Sequence, residues 1–347
     1  MVEDSHMQAD PFKYVLIISE ESPGHLSQSK GFVEALRKEV DIKVDIVVGK
    51  TTLRGFLRLF FRYFLEIMQF RCTDGTLCRI TNFRTPVRNI EKPDLIVSSG
   101  GKSVFTAKIL AERFGALYCF IGEYKPYKES WFDTIITPIV CTPSKRIIEC
   151  DLLPANIEKE RLECVAESSE NIWCMVIGGA SRSHKYTSED WCLLADAMNE
   201  ISRTHNIRWL ITSSRRTSAA VEDILLERLS AECIEDAVWW SKNPEKKLGI
   251  YFSRASHIFV TQDSLSMITE AISAHKPICV IYPDLMQALP PGFLGDYLKK
   301  LELRTYITRT SFCLLKDLDI HSLSSPPRRN NLNNVVKQCL KVWDRSS

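Results

Sequence analysis

The sequence predicts an α/β fold of two Rossmann-like domains, each with a parallel β-sheet and both facing an interdomain cleft. Short apolar segments rich in β-branched residues alternate with amphipathic segments of helical period along both halves of the chain. Several apolar segments end in polar or Gly-containing loops, and such loops bind ligands at the carboxyl ends of parallel strands. The chain has 347 residues, which is enough for two domains of ordinary size.

The composition narrows the class of protein. Hydrophobic residues make up 45% and charged residues 25%, as in soluble globular proteins. A formal net charge of +2 excludes a strongly basic chain, so nucleic acid is not an expected partner. The sequence contains no run of 18 apolar residues, so no membrane span is predicted. The polar, acidic start does not resemble a signal peptide. The 12 cysteines are scattered without a CxxC motif, which predicts reduced thiols and a cytoplasmic location.

The first predicted βαβ unit contains a strand over 14–19, a turn-rich loop over 20–26, a helix over 27–38 and a strand over 44–48. The loop has no GxGxxG pattern, and no acidic residue closes the second strand, so a dinucleotide site is weakly supported. His25 in this loop is a candidate for the general base or for acceptor binding, because imidazole accepts a proton near neutral pH. The carboxylates of Glu20 and Glu21 are rival bases, and a histidine that only caps the helix is the alternative.

The segment 52–72 predicts a helix with two different faces. Arg54, Arg58 and Arg62 recur at every fourth position, and aromatic and aliphatic residues cover the other face. Such a helix can lie in a bilayer interface and attract anionic lipid, which places the protein at the inner face of the membrane. The alternative is a core helix with its arginines facing solvent or the cleft.

Three further loops are candidate phosphate sites. The loop over 98–102 follows a strand and offers backbone N–H groups together with Lys102, although a turn without a ligand is the alternative. The strand over 172–177 ends in a Gly pair, and Arg215 and Arg216 follow the strand over 207–212. Guanidinium groups bind phosphate in a bidentate way, whereas a solvated loop that pairs with Glu222 or Asp223 is the alternative.

The segment 257–282 predicts a strand, a helix from Ser264 to Ser273 and a second strand, which together form a βαβ unit. The first turn of the helix has free N–H groups that favour a diphosphate. Glu270 near the middle of the helix is a candidate for binding a ribose diol, and an exposed glutamate on a solvated face is the alternative. The polar segment 153–169 is predicted to connect the domains, which we place at 12–155 and 170–325, with residues 326–347 forming a helix that returns to the first domain.

These motifs resemble the mitochondrial-fission Elm-type family of bacterial and plant proteins, which is regarded as having a glycosyltransferase-B (GT-B) architecture. Departures from the family pattern are Ala180, where proline is common, and Glu245, where tyrosine follows Asn-Pro. The residues that match the family motifs are Gly24, His25, Gln28, Gly178, Gly179, Ser181, Tyr186, Ser213, Ser214, Arg215, Arg216, Thr217, Asn243, Asp263, Ser264, Ser266, Met267 and Glu270.

The resemblance implies that the matched residues of the second domain bind a nucleotide-sugar and that the first domain binds the acceptor, with His25 or Glu21 as catalytic residues. The expected reaction is metal-independent glycosyl transfer to a glycan or lipid-linked acceptor in cell-envelope polysaccharide or lipopolysaccharide synthesis, since no Asp-x-Asp motif is present to hold a metal. Alternatives are a nucleotide-sugar 2-epimerase, a non-catalytic membrane or organelle-division factor and, least favoured, a nicotinamide oxidoreductase.

Overall fold

The computed structural model describes residues 13–156, 169–181, 184–286, 289–327 and 331–344. These residues form two compact units. Unit 1 contains the described residues up to Asn156 together with 331–344, and unit 2 contains those from 169 to 327. Most of the predicted connection, residues 157–168, lies outside the described residues.

Unit 1 is built on a six-stranded sheet in the order β2-β1-β3-β4-β5-β6, in which every neighbouring pair is parallel. The central strands form because their apolar, β-branched residues are buried on both faces, as parallel sheets require. The strands are β1 (Tyr14–Ser19), β2 (Lys43–Val48), β3 (Leu95–Ser99), β4 (Leu117–Ile121), β5 (Thr134–Thr137) and β6 (Ile147–Glu149). The helices are α1 (Pro23–Leu36), α2 (Gly55–Ile67), α3 (Asp74–Ile80) and α4 (Val104–Phe114), together with a C-terminal helix in residues 331–344.

The first helix begins earlier than predicted. Pro23 occupies the first turn of α1, where its missing N–H costs no hydrogen bond and its fixed φ suits the helix. The prediction of a loop over 20–26 is therefore wrong for 23–26, and His25 lies in the first turn of α1.

Unit 2 repeats the architecture with a parallel sheet in the order β12-β11-β10-β7-β8-β9. The predicted α/β fold with two Rossmann-like parallel sheets is confirmed. The strands are β7 (Ser169–Ile177), β8 (Arg208–Ser213), β9 (Ile234–Val238), β10 (Ala255–Thr261), β11 (Ile278–Tyr282) and β12 (Thr308–Ser311). The helices are α5 (Ser188–His205), α6 (Ala219–Arg228), α7 (Leu248–Arg254), α8 (Leu265–Ile272) and α9 (Phe293–Leu303), and the C-terminal helix of unit 1 is α10 (Leu332–Asp344).

The C-terminal helix α10 packs on unit 1. The ring of Trp343 is buried edge-on against Phe32 of α1, and its Nε1–H donates to Thr134 Oγ1 of β5 at 2.8 Å. Val335 and Val336 of the same helix are also buried, so α10 covers the sheet with an apolar stripe.

Each sheet has a topological switch point. At this point one strand has the next strand of the chain on one side and a later strand on the other. In unit 1 the switch point lies between β1 and β3, and in unit 2 it lies between β7 and β10. Open parallel sheets bind ligands in the crevice at the carboxyl ends of such strand pairs. Ligand-binding residues are therefore expected in the loops that end β1, β3, β7 and β10.

The helix α2 exposes most of its apolar side chains, unlike an ordinary core helix. Its arginines Arg58 and Arg62 donate hydrogen bonds to Gly101 O and Pro126 O of unit 1. The helix runs over 55–67, shorter than the predicted 52–72, and Gln69 and Phe70 end it with left-handed backbone conformations. Among the described residues, no helix combines the length and apolar character that a membrane crossing requires.

Candidate functional site

A buried carboxylate organises the switch point of unit 2. Asp263 follows β10, and its side chain is fully shielded from solvent. Its Oδ2 accepts hydrogen bonds from the Gly179 N–H at 3.1 Å and from Arg216 Nη2 at 2.5 Å. Its Oδ1 accepts from the Tyr186 hydroxyl at 3.1 Å and from Thr261 Oγ1 at 2.7 Å. These five residues, which we call the Asp263 cluster, link the ends of β7, β8 and β10.

The Gly pair after β7 is required by this packing. A Cβ atom at Gly178 would overlap the carboxylate of Asp263, and one at Gly179 would overlap the backbone of Arg216. The Gly178 N–H donates to Thr261 Oγ1 at 2.7 Å, and the Gly179 N–H is held by Asp263. The N–H groups of both glycines, predicted to bind phosphate, therefore donate to partners within unit 2. The glycines allow Asp263 and the loop after β8 to approach the end of β7.

Charge within the Asp263 cluster is balanced by one arginine. Burial and the Asp263 carboxylate raise the pKa of Tyr186 far above its usual range, so the phenol stays protonated and donates to Asp263. A buried carboxylate would repel a phosphate, but the Arg216 guanidinium neutralises it. Arg216 also donates to the Asp263 carbonyl at 3.3 Å and so connects the loop after β8 to the start of α8.

The predicted clamp segment 213–217 divides into buried and exposed residues. Ser213 is buried, and its hydroxyl donates to Glu222 Oε1 at 2.6 Å and accepts from the Trp240 N–H at 2.7 Å. The Thr217 hydroxyl donates to the Gly178 carbonyl and accepts from the Ser214 N–H at 2.9 Å. These hydroxyls hold the loop in place, with Arg216 bonded to Asp263 and Arg215 exposed.

Arg215 is the arginine of this loop whose guanidinium remains available to bind a ligand. It is exposed, and within the described residues it makes neither an ion pair nor a hydrogen bond through its side chain. The alternative prediction, in which the arginines of this loop pair with Glu222 or Asp223, does not hold. Glu222 binds Ser213 and Ser241, and Asp223 pairs with Lys242 at 2.8 Å.

The helix α8 begins without a side-chain cap. Its N-cap residue, Ser264, is buried and makes no capping hydrogen bond, but its Oγ lies 3.3 Å from Ser266 Oγ. The N–H groups of the first turn have no partner within the helix, and the dipole adds partial positive charge there. Met267 is half-buried in the same turn, and Glu270 is half-buried one turn later. The start of α8, with its two hydroxyls, directly follows the Asp263 cluster in the chain.

Two further predicted residues, Asn243 and Ser181, have local hydrogen-bond partners. Asn243 is exposed in the turn after β9, where its side-chain amide donates to Glu245 Oε1 at 2.6 Å. Ser181 follows the Gly pair, and its N–H donates to the His184 carbonyl at 2.9 Å. The structure therefore joins most of the predicted residues around Asp263 and the start of α8 but gives Asn243 a local partner.

Sequence reasoning missed a buried chain of polar groups beside this site. Arg309 of β12 donates to Gln262 Oε1 from Nε at 2.9 Å and from Nη2 at 2.7 Å. The amide nitrogen of Gln262 then faces His184 Nε2 at 3.1 Å. Because that amide can only donate, His184 is neutral, with its proton on Nδ1. The available signal was Gln262 itself, a polar residue immediately after an apolar strand.

We expect His184 to make the protein less stable in acid. Burial lowers the pKa of His184 below its usual 6.5, although Asp263 opposes this, so the unfolded chain binds the proton more readily. The stability it contributes is complete above pH 6.5 and is lost as the pH falls below that value. Urea unfolding should therefore show a smaller fall in the free energy of unfolding between about pH 7.5 and 5.5 for His184→Gln than for the parent chain.

The amide oxygen of Gln at position 184 can still accept from Gln262, so the substitution keeps the contact and removes the titration. Burial lowers the pKa of His257 as well, and His184→Gln/His257→Gln should flatten the dependence further. Equal pH dependence of the free energy of unfolding in the parent and both variants would show that His184 and His257 are not its source.

In unit 1 the switch point carries a histidine–carboxylate pair. His25 Nδ1 lies 2.7 Å from Glu20 Oε1, and the Lys102 N–H donates to Glu20 Oε2 at 2.7 Å. Burial opposes ionisation of Glu20, but the hydrogen bonds and charges of His25 and Lys102 outweigh it and lower the pKa of Glu20. The ionised carboxylate orients the imidazole with its proton on Nδ1, which leaves Nε2 to accept a proton. The His25 side chain is 39% exposed.

The loop after β3 shapes the other side of this pair. Gly100 has φ +86°, and a Cβ atom there would overlap the His25 ring and the Glu20 carboxylate. The Lys102 amide, predicted to bind phosphate, is used by Glu20. Gln28 is buried and accepts a hydrogen bond from Ser99 Oγ. Glu21 turns away to pair with Lys50 at 2.6 Å, so Glu20 is the carboxylate that contacts His25.

Metal-ligating side chains do not cluster in the described part of the chain: no group of three or more His, Cys, Asp or Glu residues there could hold a metal ion. The described cysteines are all free thiols. The candidate sites therefore consist of hydroxyl, guanidinium, carboxylate and imidazole groups.

Comparison with solved structures identifies the architecture. UDP-GlcNAc 2-epimerase from Neisseria meningitidis, solved with UDP-GlcNAc, is similar with a TM-score of 0.56 and 12% identity, over 96% of this chain and 99% of that one. The calicheamicin glycosyltransferase CalG4 is similar with a TM-score of 0.50 and 11% identity, over 96% of each chain. At such low identity these likenesses show the fold alone, and they confirm the GT-B-like class.

Sequence comparison identifies the family. An uncharacterized Rickettsia prowazekii protein, RP120, is 24% identical over 296 residues, which cover 72% of this chain and 80% of the relative. The family model described as "Mitochondrial fission ELM1" matches residues 23–311, a range that includes the Glu20-bound His25, the Asp263 cluster and α8. The predicted resemblance is confirmed, and the chain belongs to the mitochondrial fission ELM1 family.

Proposed function

We propose that this protein is a glycosyltransferase that moves a sugar from a nucleotide-sugar to a hydroxyl acceptor. The observation that carries the proposal is the carboxyl edge of the unit 2 sheet. There Arg215, which has no carboxylate partner among the described residues, is next in the chain to Arg216, whose contact with Asp263 reaches the uncapped start of α8. A GT-B-like fold and positive partial charge at a switch point suit a nucleoside diphosphate group.

Unit 2 is the donor unit in this proposal. The α8 N–H groups, the Ser264 and Ser266 hydroxyls and the Arg215 guanidinium would stabilise the leaving diphosphate without a metal ion. Glu270 would bind the ribose diol. Arg216 and Asp263 would act by holding the loop after β8 against the start of α8, because their charged groups are already bonded to each other.

Unit 1 is the acceptor unit. His25 Nε2 would take the proton of the attacking hydroxyl as the new glycosidic bond forms and the nucleoside diphosphate leaves with the electrons of the old one. Glu20 would stabilise the imidazolium that results, as a carboxylate behind a histidine does in hydrolase triads. The role of Glu21 as a base and the pathway of cell-envelope polysaccharide or lipopolysaccharide synthesis stay predictions.

Replacing Arg215 with alanine should weaken nucleotide-sugar binding by about 10- to 100-fold, because a hydrogen bond to a charged group contributes about 1.5–3 kcal/mol. Calorimetry with UDP-GlcNAc and UDP, followed by other nucleotide-sugars, measures the affinity. A ligand at 100 times its Kd should add about 2.7 kcal/mol to the free energy of unfolding and so report binding by thermal shift.

Glu270→Ala should reduce affinity for the nucleotide-sugar in the same assay.

Arg203→Ala is the matched control, since Arg203 is an exposed arginine in the last turn of α5, near the opposite edge of the sheet. Equal affinity in the parent chain and Arg215→Ala would reject the donor site. If a nucleotide-sugar binds and is converted to its epimer without nucleotide release, the protein is a 2-epimerase. Binding of no nucleotide-sugar would favour a non-catalytic division factor.

A further inference from the structure

The outward surface of α2 carries no charged side chain and is formed mainly by aromatic and aliphatic residues. The helix has 13 residues and is about 20 Å long. Successive residues turn by about 100°, so the positions opposite Leu65, its one buried side chain, form a continuous face. Phe56 and Ile67 at the two ends of this face are 78% and 80% exposed. The exposed residues of the face are Phe56, Leu57, Leu59, Phe60, Tyr63, Phe64 and Ile67.

The charged residues of α2 all point the other way. Arg58 Nη2 donates to Gly101 O at 2.6 Å, and Arg62 Nη1 donates to Pro126 O at 2.7 Å. Glu66 accepts from Trp131 Nε1 at 2.7 Å and pairs with Lys128 at 2.9 Å. A water-facing helix has the reverse pattern, with apolar residues inside and charges outside. Hydrogen bonds and ion pairs thus attach α2 to the rest of unit 1 and leave its apolar face turned outward.

The chain segments on either side of this helix carry positive charge that no carboxylate of the described residues pairs with. The two acidic residues between 54 and 88 already have partners, because Glu66 pairs with Lys128 and Asp74 pairs with Arg113. In the stretch from 54 to 88, which the structure describes completely, several exposed arginines pair with no carboxylate. These are Arg54, Arg71, Arg79, Arg84 and Arg88.

We propose that α2 docks this protein on an anionic lipid surface, with the face from Phe56 to Ile67 in the headgroup and acyl boundary. The aromatic and aliphatic face supplies the apolar burial, and the surrounding arginines supply attraction to anionic headgroups. A face this long and free of charge is larger than the scattered apolar residues of an ordinary surface. The positive surroundings favour an anionic bilayer over a second copy of the same chain, whose arginines would repel.

The attachment points of α2 extend the inference to the acceptor. Arg58 binds the carbonyl of Gly101, next in the chain to Gly100, which touches the His25 and Glu20 side chains. Docking through α2 would hold this loop at the lipid surface, where a lipid-linked hydroxyl acceptor resides. This second step depends on the proposed function, whereas the docking itself does not.

Vesicle co-sedimentation tests the docking. The full chain should bind vesicles of phosphatidylcholine with about 30% phosphatidylglycerol, and Phe56→Ser/Ile67→Ser should reduce the partition coefficient at least tenfold. Leu303→Ser/Leu314→Ser is the matched control, since these residues are 74% and 56% exposed in unit 2. Arg54→Gln/Arg71→Gln should weaken binding to anionic vesicles and reduce its dependence on salt, because each surface arginine contributes electrostatic attraction that ions screen.

Three results would overturn the proposal. Equal partitioning of the parent chain and Phe56→Ser/Ile67→Ser would exclude α2 as the docking surface. Equal binding to neutral and anionic vesicles would exclude the charge component. A dimer of the parent chain in sedimentation velocity that Phe56→Ser/Ile67→Ser abolishes would assign the face to a second copy. Arg215→Ala should bind vesicles like the parent, so failure of the donor site and failure of docking are separate observations.

Discussion

Replacing His25 with glutamine should lower kcat for sugar transfer by about 100- to 10,000-fold, the usual contribution of general acid–base catalysis. Glutamine can hydrogen-bond to Glu20 but cannot accept a proton from the acceptor hydroxyl. Because His25 lies in unit 1 and the proposed donor groups lie in unit 2, affinity for the nucleotide-sugar should stay within about twofold. Initial rates with saturating donor, together with calorimetry of donor binding, measure the two effects.

Two carboxylate variants separate the candidate bases. Glu20→Gln should also lower kcat, because the ionised carboxylate at 2.7 Å orients the imidazole. Glu21→Gln should have little effect, since Glu21 is exposed and paired with Lys50. If Glu21→Gln abolishes transfer while His25→Gln does not, Glu21 is the base and the assignment of His25 is wrong.

Asp263→Ala should lower the free energy of unfolding of unit 2 by about 3 kcal/mol or more. The substitution leaves buried donors from Gly179, Tyr186 and Thr261 without an acceptor, at about 1–3 kcal/mol each before relaxation. It also removes the partner of Arg216. Urea unfolding followed by tryptophan fluorescence is suitable, because the Trp191 ring packs 4.6 Å from that of Tyr186.

The matched control is Asp223→Ala, which removes an exposed carboxylate paired with Lys242. Exposed ion pairs contribute about 0–1 kcal/mol, so this variant should be close to the parent chain in stability. If Asp263→Ala destabilises by no more than Asp223→Ala, the Asp263 cluster does not organise the switch point. Donor affinity of the folded Asp263→Ala protein should also fall, because the loop with Arg215 is no longer held against α8.

Much of the fold could be predicted from local patterns. The buried strands β1, β7 and β10 appear in the sequence as apolar, β-branched segments, and a βαβ connection requires its strands to be parallel. The start of α1 was misplaced because the turn residues Pro23 and Gly24 suggested a loop, whereas proline is well tolerated in the first turn of a helix.

The site was predictable in its location more than in its contacts. Gly178, Gly179, Arg216 and Asp263 all follow strands that end at one sheet edge, and their convergence follows from topology. Their partners did not follow, because nothing local to Gly179 shows that its amide donates to a carboxylate 84 residues later. The role of Gln262 likewise depends on partners that are distant in the chain, since Arg309 and His184 lie 47 and 78 residues away from it.

The sequence by itself determined the alternation of strands and helices, the two parallel sheets and the loops at their carboxyl ends, because hydrophobic period and turn chemistry act over a few residues. Only the tertiary structure decided which way α2 faces. Its arginine row and its apolar face are both visible in the sequence, but the inward side is set by acceptors at Gly101 and Pro126. A helical pattern defines two faces, and the partners supplied by the rest of the fold select the one that is buried.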